Sequence, residues 1–203
     1  MSDQIDFTEF YEILLDATRK TLVFTRECYP NDTFYTVGLT YKMWHSILPA
    51  CNTEQFHMRR GRFTEDDRRS QTLKWAYSRW YSSEWMYAGP GRNDFAPVTH
   101  WLQTHMSISQ QVKLPPESDE RAAMKNGFID FCLKTLNALD NEGLFGQGQD
   151  RDAVVVILLC APPFQTASDR EYIHQLNPLP VYERWYFEWE LCRHARTLRT
   201  DSL

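Results

Sequence analysis

Residues 153–160 of the chain read AVVVILLC, an uninterrupted apolar run that is rich in β-branched side chains. A run of this kind is typical of a central strand, because both of its faces must be covered by other elements. Pro162 and Pro163 follow at once and end the predicted strand. The run therefore predicts a sheet that is packed on both sides.

A second strand is predicted upstream of this run. Residues 34–41 read FYTVGLTY and alternate so that Tyr35, Val37, Leu39 and Tyr41 share one side. The short apolar stretch at residues 43–48 is interpreted as the hairpin mate of this strand, and Pro49 closes it. The order of the strands within the sheet does not follow from the sequence.

Helical patterns surround these strands. Residues 7–25 are amphipathic, Ser118 caps a long helix that ends near Gly143, and Pro180 begins a helix with a basic end. We therefore expect an α+β fold with one domain over residues 1–203, in which several helices flank a mainly antiparallel sheet. The predicted core consists of Leu14, Leu22, Val37, Leu39, Phe128, Phe131, Leu136, Val155, Ile157 and Leu159.

The composition indicates the class of protein. The chain has 203 residues, 42% of them hydrophobic, which suits one domain with a good core and excludes a disordered chain. Its net charge of −5 argues against a general nucleic-acid or anionic-membrane binder, but it suits a basic protein partner. An acidic N-terminus, five scattered cysteines and the absence of a long apolar run lead us to expect a soluble, cytoplasmic protein without a membrane partner.

Residues 74–87, KWAYSRWYSSEWMY, hold three of the seven tryptophans of the chain. Such a cluster is either an aromatic part of the core or the set of anchors of a binding surface, and both interpretations stay open at this point. Thr64 and the acidic residues after it predict a helix to about Ser82, whose aromatic residues lie on more than one face. If the cluster binds a partner, the expected contact residues are Trp75, Trp80, Glu84 and Trp85.

The sequence contains few motifs that indicate catalysis, nucleotide binding or metal binding. The nearest approach to a nucleotide-binding loop, Gly146-Gln147-Gly148, follows a helix and precedes a strand, which is the reverse of the order that cradles phosphate. Cys160 could meet His174 or His57 as a thiol–imidazole pair of a small hydrolase, although a buried structural thiol is the simpler interpretation. We therefore expect no catalytic residue, no cofactor and no metal ligand, and the enzyme question stays open.

A cluster of arginines offers a further alternative. Arg59, Arg60, Arg62, Arg68 and Arg69 precede Trp75 and Trp80, an arrangement found in proteins that bind single-stranded nucleic acid. The acidic residues 65–67 interrupt this cluster, and the chain as a whole is acidic. A solvated, ion-paired helix face is therefore the competing explanation.

Several motifs occur in a characteristic order: FYTVGLTY, ACNTEQ at residues 50–55, the stretch from Trp80 to Trp85, LDNEGLFG at residues 139–146, and Leu176-Asn177-Pro178. In this order the chain resembles a widespread bacterial family of proteins of unknown function and similar length, some of which lie in toxin–immunity neighbourhoods. The resemblance implies a cytoplasmic, non-enzymatic protein that binds and neutralises a cognate toxin. It implies no catalytic residue.

Overall fold

The structure, a computed structural model, describes residues 6–42, 46–80, 85–87, 92–106, 115, 117–160 and 167–200, with residues 86, 87, 92, 167 and 195–200 described by their backbone alone. Part of the predicted hairpin mate, residues 43–45, and the predicted contact residue Glu84 lie outside these ranges. The elements are α1 (Thr8–Cys28), β1 (Phe34–Lys42), β2 (Ser46–Thr53), α2 (Glu54–Gly61), α3 (Glu65–Ser70), α4 (Leu73–Trp80), β3 (Met86–Tyr87), a 3₁₀ helix (Arg92–Phe95), α5 (Ala96–His105), α6 (Asp119–Asn141), α7 (Gln149–Ala153), β4 (Val155–Cys160), α8 (Ala167–Leu176) and α9 (Leu179–Thr200).

The described strands form one sheet in the order β3-β2-β1-β4. β1 and β2 are an antiparallel hairpin in which Leu39 lies opposite Pro49, and β3 continues the antiparallel pattern. β4 pairs with β1 in parallel, with Ile157 opposite Gly38. The predicted α+β class with a mainly antiparallel sheet is therefore confirmed.

The predicted central position of the apolar strand is wrong, because β4 lies at the end of the sheet order. All six of its residues are nevertheless buried. The side chain of Asn177 closes the free edge: its Oδ1 accepts a hydrogen bond from the Val156 N–H at 2.8 Å, and its Nδ2 donates to the Val156 carbonyl at 2.7 Å. At Val156, an asparagine side chain therefore takes the place of a neighbouring strand. The strand is wholly apolar because both of its faces are covered.

Two separate clusters of buried side chains cover the two faces of the sheet. One face packs against α1, α5 and α6, with Phe10, Leu14, Phe128 and Leu136 among the buried residues. The other face packs against α4, α8 and α9, where Trp80, Ile173, Val181 and Trp185 are buried. This two-sided cover confirms what the run at residues 153–160 predicts.

A β-bulge in β1 changes the direction of one side chain. The register between β1 and β2 shifts between Phe34 and Thr36. As a result, Tyr35 packs with the α9 side of the sheet, whereas Val37, Leu39 and Tyr41 pack on the opposite side. The prediction that these four residues share one side is therefore wrong for Tyr35, because the extra residue at the bulge reverses the alternation.

Two further expectations need correction. The helix predicted from Thr64 to about Ser82 is two helices, α3 and α4, separated at Gln71, whose backbone is left-handed with φ of 45°. Phe131, predicted to be in the core, is only partly buried and stacks on Phe7 at 5.7 Å between ring centroids. Among the helices that the structure describes, none combines the length and the apolar character that crossing a bilayer requires.

Candidate functional site

The tryptophan-rich segment lies in the core of the described structure. Trp75, Trp80 and Trp85 are all buried, and Trp80 makes edge-to-face contacts with both Trp85 and Trp185. Their placement matches the core-packing interpretation of the cluster. A partner would reach these three rings only after a local opening of the structure, so their role as contact residues stays a prediction.

Arg79 stands at the centre of this segment and joins three parts of the fold. Its Nη1 and Nη2 donate to the two carboxylate oxygens of Glu54 at 2.8 and 2.7 Å, and its Nε donates to Glu188 at 3.0 Å. Glu54 begins α2 and Glu188 lies on α9, so the buried guanidinium ties α4 to both helices. A paired and hydrogen-bonded arginine of this kind is a structural clamp.

The polar tips of the surrounding aromatic residues are also occupied. The backbone carbonyl of Arg79 accepts hydrogen bonds from the Tyr35 hydroxyl at 2.9 Å and from Trp85 Nε1 at 2.6 Å. Trp80 Nε1 donates to Glu188 at 2.7 Å. The bulge at Tyr35 is what places its hydroxyl in this network, together with the amide of Asn52 at 2.7 Å.

The surroundings of the network keep Arg79 and Glu54 charged and Tyr35 neutral. Burial opposes the charge on Arg79, but the hydrogen bonds and charges of Glu54 and Glu188 prevail and raise its pKa. Burial likewise disfavours the Glu54 carboxylate, yet the hydrogen bond and charge of Arg79 hold its pKa below the ordinary value. Burial raises the pKa of Tyr35, so its hydroxyl stays neutral. Groups that keep their protonation state near neutral pH are poor general acids and bases, so the network suits stability rather than proton transfer.

His57 differs from these residues because neither of its ring nitrogens has a hydrogen-bond partner among the described residues. It is buried, and its ring packs against Tyr35, Phe63 and Trp75. Burial and the nearby charge of Arg79 lower the pKa of His57 to about 4. The indole nitrogen of Trp75 is likewise buried without a partner in the described structure.

The structure separates the predicted thiol–imidazole pairs. Cys160 lies opposite Tyr41, whereas His57 packs on Tyr35, and the intervening stretch of β1 spans about 20 Å. His174 is exposed, and its ring packs edge-to-face on Tyr182 at 4.7 Å. The Cys160 backbone N–H donates to the buried Asp169 at 3.1 Å. Neither histidine is therefore placed beside Cys160 as a general base.

Two other buried cysteines have unreactive thiols. Burial raises the pKa of Cys51 to about 12 and holds that of Cys132 well above its ordinary value. Both thiols are therefore protonated at neutral pH, which removes the thiolate that nucleophilic catalysis needs. Among the described residues, no group of three His, Cys, Asp or Glu side chains is arranged to hold a metal ion.

The arginine cluster lies on the outside of α2 and α3. Arg59 is 3.8 Å from Asp32, while Arg68 and Arg69 lie 3.5 and 3.9 Å from Glu65. The arginines are exposed in all three ion pairs, and pairs of this kind at the surface contribute little to stability. Because Trp75 and Trp80 are buried, they cannot stack on nucleotide bases as they are placed. The predicted combination of cations and accessible aromatic rings is therefore not formed at this surface.

A different aromatic surface is exposed on α9. Leu179, Tyr186 and Phe187 are 57%, 37% and 60% exposed, and we call this set the α9 outer face. Beside it, an open groove of about 600 Å³ lies between α8 and α9. Its lining consists of Arg170, Glu171, His174, Gln175, Tyr182 and Tyr186.

The sequence analysis missed the α9 outer face. The sequence WYFEW at residues 185–189 indicates this exposed surface. Trp185 and Trp189 are four residues apart in it, so both pack on the core side of the helix. Tyr186 and Phe187 between them must then point away from the core. Four aromatic residues in five positions cannot share one helix face, and this surplus predicts an exposed ring.

Comparison with known protein families identifies the family of this chain. A family described as "Domain of unknown function (DUF4303)" matches residues 14–178, which cover most of the chain and all the strands described above. No curated protein and no solved structure matches the chain.

Proposed function

We propose that this chain, which belongs to the DUF4303 family, acts without catalysis by binding another protein, as an immunity-type inhibitor that neutralises a toxin in a bacterial cytoplasm. The observation that carries the binding proposal is the exposure of Phe187, together with Leu179 and Tyr186, on one side of α9. The toxin is suggested by the resemblance of the chain to a bacterial family of which some members lie in toxin–immunity neighbourhoods.

The α9 outer face has the composition of a contact surface. Residues seven and eight positions apart lie on the same side of a helix, so Leu179 and the two aromatic rings form one stripe. Aromatic residues are enriched at the centres of protein interfaces, and exposed apolar patches with polar surroundings mark interaction sites. On the same side of α9, Glu183 lies between Leu179 and the two rings, and Glu190 follows them, so carboxylates adjoin the apolar side chains.

Charge favours a basic partner. Residues 59–74 contain six cationic and three anionic side chains, a local charge of +3 within a chain of net charge −5. The remainder of the chain therefore carries −8, although α9 by itself contains three glutamates and four arginines. An excess of this size accelerates encounter with a basic protein and disfavours an acidic one.

The test is co-purification with the product of the adjacent gene, followed by Phe187→Ala and Tyr186→Ala. Because anchor residues at interfaces typically contribute at least about 2 kcal/mol, Phe187→Ala should weaken binding on the order of 30-fold while leaving the folded protein intact. Phe24→Ala is the matched control, since Phe24 is 45% exposed on α1 at the opposite face of the sheet. Equal affinities for the wild-type, Phe187→Ala and Phe24→Ala proteins would contradict the assignment of this surface.

The contact set Trp75, Trp80, Glu84 and Trp85 forms the second arm of the same experiment. If the partner used these residues, binding would have to open the segment and would shift the tryptophan fluorescence strongly. In a Trp189→Phe background, which removes the partly buried tryptophan of α9, binding at the α9 outer face should leave that fluorescence nearly unchanged, because Trp75, Trp80 and Trp85 stay buried. The two surfaces are therefore distinguished by one titration.

A further inference from the structure

The helices α2, α3 and α4 form a corner of the fold with a small core of its own. That core contains Phe63, Trp75 and Ala76, with Met58 and Leu191 packed against it, and it is separate from the two clusters on the faces of the sheet. No residue of α3 is buried. Few buried apolar contacts mean low local stability, so this corner opens at a smaller free-energy cost than the sheet.

His57 occupies a key position beneath this small core. Its ring centroid lies 5.0 Å from that of Phe63 and 5.5 Å from that of Trp75, with an edge-to-face arrangement on Trp75. Neither ring nitrogen has a hydrogen-bond partner among the described residues, and Trp75 Nε1 also lacks one. A neutral imidazole tolerates this apolar site, whereas an imidazolium placed there would need a partner or water.

The charged groups around the ring make a second positive charge unfavourable. Tyr35 on β1 stays neutral, and the Arg79 guanidinium on α4 repels an imidazolium. Glu54, on the same helix as His57, would attract it, but both Glu54 oxygens already accept from Arg79. Other charges nearby are Glu188 of α9, which is bound to Arg79, and Lys74 of α4, which lies 5.4 Å from the Phe63 ring. Arg68 of α3 also acts on Glu54 and favours its ionised form.

We propose that the corner formed by α2, α3 and α4 is an acid-sensitive latch, in which protonation of His57 releases Phe63 and Trp75 into solvent. Opening gives the imidazolium access to water, which is the partner that the closed corner does not provide. The left-handed residues Arg62 and Gln71, with φ of 51° and 45°, bound α3 on either side. Opening is confined to this end of α4, because Arg79 and Trp80 hold the other end to Glu188.

The experiment labels the chain with 5-fluorotryptophan and follows the fluorine resonance of Trp75, assigned with Trp75→Phe, from pH 7.5 to pH 4.5. Because one proton is taken up on opening, the opening constant should rise by up to about tenfold for each pH unit below about 6.5. A soluble paramagnetic relaxation agent should broaden the Trp75 resonance at the acid end, while that of the deeply buried Trp185 stays unchanged.

Two variants separate His57 from other causes. His57→Phe should abolish the acid response of Trp75 above pH 4.5, and His174→Phe, which removes an exposed histidine, should leave it as in the wild type. An acid response that is equal in the His57→Phe and wild-type proteins would overturn the proposal.

A further measurement covers the case in which His57→Phe does not fold. The ring protons of His57 are then titrated in the wild-type protein by NMR, together with the Trp75 resonance. The latch requires the His57 titration and the Trp75 change to share one midpoint below pH 6.5. A His57 midpoint near 6.5, or a Trp75 resonance that does not move, would overturn the latch.

Discussion

Arg79 holds Tyr35 from two directions. Its guanidinium lies 3.7 Å from the centroid of the Tyr35 ring, and its backbone carbonyl accepts the hydrogen bond of the Tyr35 hydroxyl. The cation–π contact and the hydrogen bond therefore fix both the face and the tip of one ring. This relationship connects the bulge of β1 to α4, and through Glu188 to α9.

Loss of the Arg79 side chain should destabilise the protein strongly. Arg79→Ala leaves Glu54 and Glu188 without their cation, and we expect it to lower the free energy of unfolding by about 3 to 5 kcal/mol. The measurement is chemical denaturation. Arg193→Ala, which removes a surface ion pair with Glu190, is the control and should leave stability nearly unchanged. Similar losses in both variants would show that Arg79 is not a clamp.

Stability should fall between pH 6.5 and pH 4 because of His57. In the unfolded chain the imidazole binds a proton below about pH 6.5, whereas in the folded protein its pKa is about 4. The unfolded state therefore binds more protons in this window and gains on the order of 3 kcal/mol as the pH falls through it. Urea denaturation at a series of pH values measures this decline.

The loss of stability below about pH 4.5 has a different cause. Because the folded-state pKa of Glu54 is lowered, its stabilising contribution is present above its ordinary value of 4.5 and is lost as the pH falls below it. His57→Phe should therefore flatten the decline between pH 6.5 and 4.5 and keep the decline below it. If the stability of His57→Phe still falls steeply below pH 6.5, His57 is not the cause of the decline.

Asn177→Ala should destabilise the edge of the sheet. The substitution leaves the N–H and carbonyl of Val156 buried and unpaired, and we expect a cost of about 2 to 4 kcal/mol and a tendency to aggregate through the open edge. Gln175→Ala, at an exposed position near the end of α8 and two residues before Asn177, is the control. Thermal unfolding and light scattering measure the two effects. Equal thermal stability and equal light scattering of the two variants would contradict the assigned role of Asn177.

Two phenylalanines on one helix should differ in their contributions. Phe128 is fully buried and Phe131 only partly, although both face the core side of α6. Phe128→Ala should therefore cost about 3 to 5 kcal/mol, and Phe131→Ala distinctly less, because less apolar surface and a smaller cavity are involved. Chemical denaturation of the two variants provides the comparison, and a larger loss for Phe131→Ala would reverse the assignment.

Much of the local structure is encoded in short stretches of sequence. Ser118 and Thr64 cap the helices that follow them, and each side-chain oxygen accepts the N–H three residues later. The alternation of residues 37–41 and the apolar run at residues 155–160 form the strands that they predict. These features depend on neighbours within a few positions, so the sequence alone specifies them.

Contacts between distant parts of the chain determined the rest. The parallel pairing of β1 with β4 joins residues more than a hundred positions apart, and Asn177 makes an edge position compatible with an apolar strand. The burial of Trp75, Trp80 and Trp85, and the exposure of Phe187, likewise depend on how α4 and α9 pack together. A hydrophobicity pattern shows that a side chain needs cover or contact, but only packing in three dimensions determines whether the chain itself provides it.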